Sequence, residues 1–187
     1  MARSRTRPAF IERGPKNSWD GAWVNLPSSG PIRRNGELLF HYSGRACAHT
    51  HHDSYHFGGI GLASLRVDGF CSLQGSEQGG WLVTPPVRWV KGELHLNADP
   101  RRDITAHPDY RGGEVRVEVR DVRGRPLAGY RFDDCVPITR NTAHRTNDEA
   151  VLPVEWKSRK KMAALAGRHV RLAFRLRDAH LYSFKAK

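Results

Sequence analysis

The chain reads as an all-β protein, and three features of the sequence carry that reading. Apolar and polar residues alternate through Glu114-Val115-Arg116-Val117-Glu118-Val119-Arg120, and again through His169-Val170-Arg171-Leu172-Ala173-Phe174-Arg175-Leu176-Arg177. A period of two sends one set of side chains to a buried face and the other to a wet face of a strand. Strand-like runs also recur at short intervals with Gly, Pro, Asn or Asp between them, which is the spacing of an all-β domain.

The runs, in order, are 22–26, 37–42, 59–66, 81–84, 93–98, 114–121, 130–132, 151–156, 169–177 and 181–184. The Asn35-Gly36 pair between Arg34 and Glu37 predicts a tight hairpin, because both residues tolerate positive φ. Val122-Arg123-Gly124-Arg125-Pro126 predicts a second hairpin, from strand 114–121 to strand 130–132. Pro85-Pro86 cannot occupy a central strand, so the segment 81–89 is interrupted or lies at an edge. One short helix is expected over 158–167, with Ser158 as N-cap and Gly167 just past its end. The second half then forms an antiparallel β-sandwich of jelly-roll or concanavalin-like type. Residues 1–66 hold only about three strands, too few to close a core alone.

Composition bounds the rest. The 187 residues allow one domain or two small ones. An apolar share of 39% with 27% charged residues belongs to a globular chain rather than a disordered one. No apolar run approaches the ~20 residues of a membrane helix. The basic start, Met1 to Arg7, is followed by no apolar stretch, so no secretory signal is read and the cytoplasm is the default location. Three widely spaced cysteines, Cys47, Cys71 and Cys135, include no C-x-x-C pair. That speaks against a disulfide framework and a zinc knuckle. Reduced thiols are expected, with Cys71 and Cys135 in apolar strands, and a single bridge is left open.

The net charge of +12 invites a polyanion or nucleic-acid reading. The arginines of 114–120 and 169–177, however, fall on every second position and are accounted for as the wet faces of strands. No nucleic-acid-binding motif interleaves with them.

Three groups carry candidate chemistry. In Ser18-Trp19-Asp20, the Trp19 indole suits stacking on a pyranose, and Asp20 suits hydrogen bonding to hydroxyls or acid–base work. The alternative is that Trp19 and Trp23 fill a core and Asp20 caps a turn. The histidines His41, His49, His51, His52 and His56, with Asp53, have spacings found in metal sites, but no second ligand group accompanies them. An exposed or substrate-lining loop accounts for them as well, and no metal is expected. Asp133-Asp134 are adjacent on a predicted strand edge and point to opposite faces, so turn or surface roles are expected. No nucleotide or phosphate fingerprint is present, and no cofactor is expected.

Two series of short motifs resemble a known family. One runs Arg13-Gly14-Pro15, Ser18-Trp19-Asp20, Gly36-Glu37-Leu38, Tyr42-Ser43-Gly44 and Ile60 to Leu73. The other runs Leu165 to Leu172 and Arg177 to Phe184. Together they resemble the C-terminal part of glycosyl-hydrolase-like proteins of the levanase/invertase clan, in which a five-bladed β-propeller precedes a β-sandwich. The resemblance implies a partial last blade over residues 1–67 and a β-sandwich domain over 68–187. It implies a carbohydrate-related, hydrolase-type protein that is not catalytic alone, because the carboxylate-bearing blades lie outside this chain. Asp20 is then the best catalytic candidate, and Trp19, Asp20, His49, His51 and His52 would line the substrate. The partners expected are a carbohydrate, and either a propeller-bearing chain or a second copy at the exposed blade edge. A stand-alone carbohydrate-binding sandwich and a basic polyanion binder are the alternatives. The first of these needs at least one of Trp19, Trp23, Trp81 and Trp89 exposed on a flat or concave surface.

Overall fold

In a computed structural model of the chain, residues 9–27, 29–48, 58–100, 112–139, 152–158 and 160–187 are described. They are all-β: thirteen strands and one short 3-10 helix. The chain divides into two compact units, Met1–Val67 and Asp68–Lys187.

The first unit is one antiparallel sheet. Its strands are β1 (Trp23–Asn25), β2 (Ile32–Arg34), β3 (Glu37–Arg45) and β4 (Gly58–Arg66). The Asn35-Gly36 hairpin forms as the dipeptide predicts: φ is 51° and 74° at the two residues, and Arg34 pairs with Glu37. Strand β3 then pairs with β4 over its full length. Strands β1 and β2 both pair with β3, at opposite ends of it, so the sheet is three strands wide.

The second unit has two sheets. One has the order β10-β9-β12-β6, with β7 also paired to β12; the other has the order β11-β8-β13-β5. The strands are β5 (Leu73–Gly75), β6 (Gly80–Val83), β7 (Val87–Arg88), β8 (Leu94–Asp99), β9 (Glu114–Arg120), β10 (Ile138–Thr139), β11 (Leu152–Pro153), β12 (His169–Arg177) and β13 (Ala179–Ala186). Strands β6 and β7 are one edge strand interrupted by Pro85-Pro86, which supply no N–H to the ladder. Counted so, the first strand pairs with the eighth, the second with the seventh, the third with the sixth and the fourth with the fifth. A long antiparallel ribbon rolled into two layers has this order, which is that of a jelly roll.

The alternation read from the sequence sets the faces. Val115, Val117 and Val119 of β9 and Val170, Leu172, Phe174 and Leu176 of β12 are buried, together with Leu94, Leu96 and Ala98 of β8. These residues belong to one core cluster. Each fully buried aliphatic or aromatic side chain contributes about 1.5–3 kcal/mol.

Three expectations are corrected. The helix over 158–167 is only a four-residue 3-10 helix, Met162–Leu165. Ser158 does not cap it; its Oγ donates to the Gly129 carbonyl at 2.7 Å. The capping acceptor comes from far along the chain: the Glu93 carboxylate receives the backbone N–H of Met162 at 2.9 Å and of Ala163 at 3.3 Å. Second, 130–132 is not a strand. The hairpin turn forms around Gly124, but beyond the one regular bridge, Arg120 to Pro126, the contact is irregular: Leu127 N–H donates to the Val119 carbonyl at 2.9 Å and Val119 N–H to the Tyr130 carbonyl at 3.0 Å. A turn at Ala128-Gly129, with φ 82° at Gly129 and Tyr130 N–H donating to the Leu127 carbonyl at 3.1 Å, breaks the register, and the Tyr130 hydroxyl donates to the Lys161 carbonyl at 2.9 Å. Third, Cys71 is exposed ahead of β5 rather than within an apolar strand; the three cysteines are free thiols, as the spacing predicts. Cys135 is buried, and burial raises its thiol pKa.

Two outcomes follow. A thiol reagent applied to the native protein modifies Cys71 at once and Cys135 only on unfolding; reaction of Cys135 at the rate of Cys71 would contradict its burial. Glu93→Ala removes the acceptor for two N–H groups of the 3-10 helix, and chemical denaturation of the second unit should register a loss of about 1–2 kcal/mol.

Candidate functional site

The Trp19-Asp20 segment lies in a loop that the first unit folds onto one face of its own sheet. Two tight turns shape it, with Ser18 N–H donating to the Pro15 carbonyl at 3.0 Å and Gly21 N–H to the Ser18 carbonyl at 3.1 Å. Strands β3 and β4 receive the loop on a face stripped of side chains. A Cβ at Gly44 would stand 2.7 Å from the Trp19 ring, and one at Gly59 would stand 2.9 Å from it. The Tyr42 ring lies over Gly61 in the same way. The Trp19 and Tyr42 rings stack at 5.6 Å with 25° between planes. The aromatic rings replace the packing that glycines cannot supply.

Asp20 sits at the centre of this arrangement. Its carboxylate accepts Ser18 Oγ–H on Oδ1 at 2.8 Å and Tyr42 O–H on Oδ2 at 3.3 Å, and the residue is 9% exposed. Desolvation, then the hydrogen bond to the Asp20 carboxylate and its charge, raise the Tyr42 phenol above its ordinary value. Oδ1 of Asp20 therefore closes the loop on itself, and Oδ2 ties it to β3. Trp19 is 40% exposed. Trp23, half-buried, carries the Arg45 guanidinium over its ring at 5.4 Å. A shallow depression of about 700 Å3 beside the loop is lined by Glu12, Arg13, Lys16 and Asn17, among others, and by neither Trp19 nor Asp20. His49, His51, His52, Asp53 and His56 lie outside the described residues. Among the described residues no group of His, Cys, Asp and Glu is placed to hold a metal.

A different aromatic stands out in the second unit. Trp89 is buried, and its indole N–H donates to the Gly92 carbonyl at 3.1 Å. Trp81, on edge strand β6, is 64% exposed. Register places it opposite Arg175 of β12, which is in turn opposite Arg116 of β9. All three stand on the outer face, since Leu82, Phe174 and Val117 alternate with them toward the core.

The segment after β9 folds back to support this face. Phe132 meets the Trp81 ring edge-to-face at 5.1 Å and 84°. The Arg175 guanidinium lies 5.6 Å from the centre of the Phe132 ring. Phe132 is itself anchored through its backbone: its N–H donates to buried Glu118 at 3.3 Å and its carbonyl accepts from Arg116 at 3.3 Å. Arg116 also forms a forked pair with Glu114 at 2.9 and 3.1 Å. That pair lowers the Glu114 pKa and raises that of Arg116. The result is an indole packed on Phe132 and exposed to solvent, across the ladder from the Arg175 guanidinium.

Sequence reasoning did not single out Trp81, Phe132 or Arg175 as a group. The available signal was Trp81 and Val83 alternating with Leu82 ahead of Pro85-Pro86, which marks an edge strand with Trp81 on one of its two faces. Which face looks outward depends on the pairing with β12. Comparison of the chain with family models, curated proteins and solved structures finds no match.

Asp20→Ala leaves the Ser18 and Tyr42 hydroxyls without their acceptor and should cost the first unit about 1–3 kcal/mol in chemical denaturation. Asp20→Asn removes the charge and should lower the Tyr42 pKa in a spectroscopic titration of tyrosinate; an unchanged value would contradict the contact. The sign is that of a phenol with a raised folded-state pKa. Its stabilisation is full below the ordinary value of 10.0 and is lost as pH rises through the folded value.

Proposed function

We propose that this chain binds carbohydrate and is the supporting, non-catalytic portion of a glycoside-hydrolase-type architecture. The observation that carries the reading is Trp81: a large indole packed against Phe132, 64% exposed, on the outer face of a sheet. Such a surface offers the apolar face of a pyranose a stacking partner whose ordering entropy is already met by the fold. The neighbouring side chain of Arg175, directly across the ladder from Trp81, sets a cationic donor beside the ring. The order of elements, an antiparallel sheet followed by a two-layer sandwich, is the order that the family resemblance implies. Jelly rolls also occur in lectins, an analogy at the level of fold only.

Asp20 supports the non-catalytic part of the reading. A glycosidase requires a pair of carboxyl groups flanking the scissile bond, about 5–9.5 Å apart, with one free to exchange a proton. The Asp20 carboxylate instead accepts two hydroxyl donors of its own loop and sheet. Its role here is to clamp the loop.

Affinity electrophoresis or titration calorimetry against a panel of neutral and acidic polysaccharides tests the proposal. Wild-type protein should bind at least one member of the panel, and Trp81→Ala should lower that affinity at least tenfold with the fold unchanged, since losing an aromatic stacking contact costs about 1–3 kcal/mol. Binding that survives Trp81→Ala, or none by wild type, would remove the proposal.

A further inference from the structure

The charge around Trp81 points to the kind of sugar it receives. On the outer faces of β9 and β12, five arginines (Arg116, Arg120, Arg171, Arg175 and Arg177) stand against two glutamates, Glu114 and Glu118. Strand alternation explains why these residues face outward, but it does not explain how their charges are balanced. Glu118 is buried and taken: it accepts Arg120 Nε–H at 2.7 Å and the Phe132 N–H at 3.3 Å. Glu114 is taken by the Arg116 fork on both of its oxygens. Arg171 is tied to the carbonyls of Val122 and Thr84 at 3.1 and 3.2 Å.

Arg175 is different. Among the described residues, its one carboxylate within 4 Å is Glu114, at 3.7 Å, beyond hydrogen-bond length and already occupied. Its guanidinium is aligned by the Phe132 ring and 38% exposed, directly across the ladder from Trp81. Side chains opposed in this way have Cβ atoms ~5 Å apart. A pyranose resting on Trp81 therefore brings a substituent on its ring edge to the Arg175 fork. Arg177 of the same strand face adds a second positive charge, pairing in register with Glu114. A planar fork of donors matches a carboxylate or sulfate oxygen pair better than it matches single hydroxyls.

Resting on the carbohydrate-binding reading above, we infer that the ligand is an acidic polysaccharide, whose uronate carboxylate or sulfate is received by Arg175 while its ring stacks on Trp81. Both sources present the same pair of anionic oxygens, and the probes separate them. No covalent step is involved.

The test uses matched probes on the full chain. These are polygalacturonate and hyaluronate, each beside its methyl ester, heparin beside desulfated heparin, a neutral glucan, and a single-stranded oligodeoxynucleotide. Variants are Arg175→Gln and Arg175→Lys, both at an exposed position, with Trp81→Ala as the control for stacking. Wild type should prefer at least one native member of a pair about 10- to 100-fold over its esterified or desulfated partner, the worth of a hydrogen bond to a charged group. Arg175→Gln should erase that preference, lowering the affinity for the charged member to that for its esterified or desulfated partner. Arg175→Lys should recover part of it, since the charge remains and the fork is lost. A preference for the uronates names the carboxylate, and one for heparin names the sulfate. Equal binding within every pair, or a neutral glucan bound best, overturns the acidic ligand and leaves the carbohydrate reading standing. No binding to any polysaccharide, or binding indifferent to Trp81→Ala, overturns both. An oligodeoxynucleotide bound more tightly than every acidic polysaccharide, and sensitive to Trp81→Ala and Arg175→Gln, overturns both in favour of a nucleic-acid surface.

Discussion

Strand β12 is paired on both edges, and the second unit is organised around it. Strand β9 runs along one edge from Arg171 to Arg177, while β6 and β7 share the other. A strand enclosed in this way has no free backbone donors or acceptors to satisfy, so only its two faces remain to be disposed of. The face bearing Val170, Leu172, Phe174 and Leu176 has to leave water. The chain meets that need at once: after Asp178, at φ 43°, it crosses into the other layer as β13, and Phe184 of β13 returns against Phe174 at 5.3 Å.

The outer face is the other side of the same constraint. Once Leu176 and Phe174 are inside, Arg175 is outside, and the register carries Trp81 out beside it. The fold then builds on this face instead of leaving it bare. The segment after Gly124 does not continue as a strand; it lays Phe132 against Trp81 and secures its own backbone on Glu118 and Arg116. Trp81 thus rests on a ring whose backbone is itself anchored to Glu118 and Arg116, which distinguishes it from an apolar residue that merely remains in solvent.

The first unit solves a smaller problem by other means. Its sheet has too few strands to enclose a core, and its covered face carries Gly44, Gly59 and Gly61 where larger residues would ordinarily stand. The loop of residues 13–22 supplies the missing volume with Trp19, stacked on Tyr42, and Asp20 fastens the two together. The residue types that suggested sugar chemistry are here used to hold the unit together. The Trp-Asp pair was legible either as a sugar contact or as a structural pair, and the contacts it makes are those that fasten the loop. A carboxylate's role depends on which donors reach it, and Tyr42 lies 22 residues away in sequence.

What the sequence determined by itself was whatever rests on local chemistry. The all-β class, the Asn35-Gly36 hairpin, the interruption at Pro85-Pro86 and the inward and outward sets of β9 and β12 follow from residue-level φ preference, missing N–H groups and period-two alternation. Only the tertiary structure decided the matters settled by pairing between distant segments. The 158–167 helix shrinks because Ser158 is drawn to Gly129, while Glu93 caps the turn from nearly 70 residues upstream. The 130–132 strand is lost because the chain turns at Ala128-Gly129 and again over 131–134, leaving Tyr130 only its carbonyl on Val119. Trp81 becomes a surface rather than a core residue because β6 docks on β12 in one register, and a slip of one residue would have reversed it.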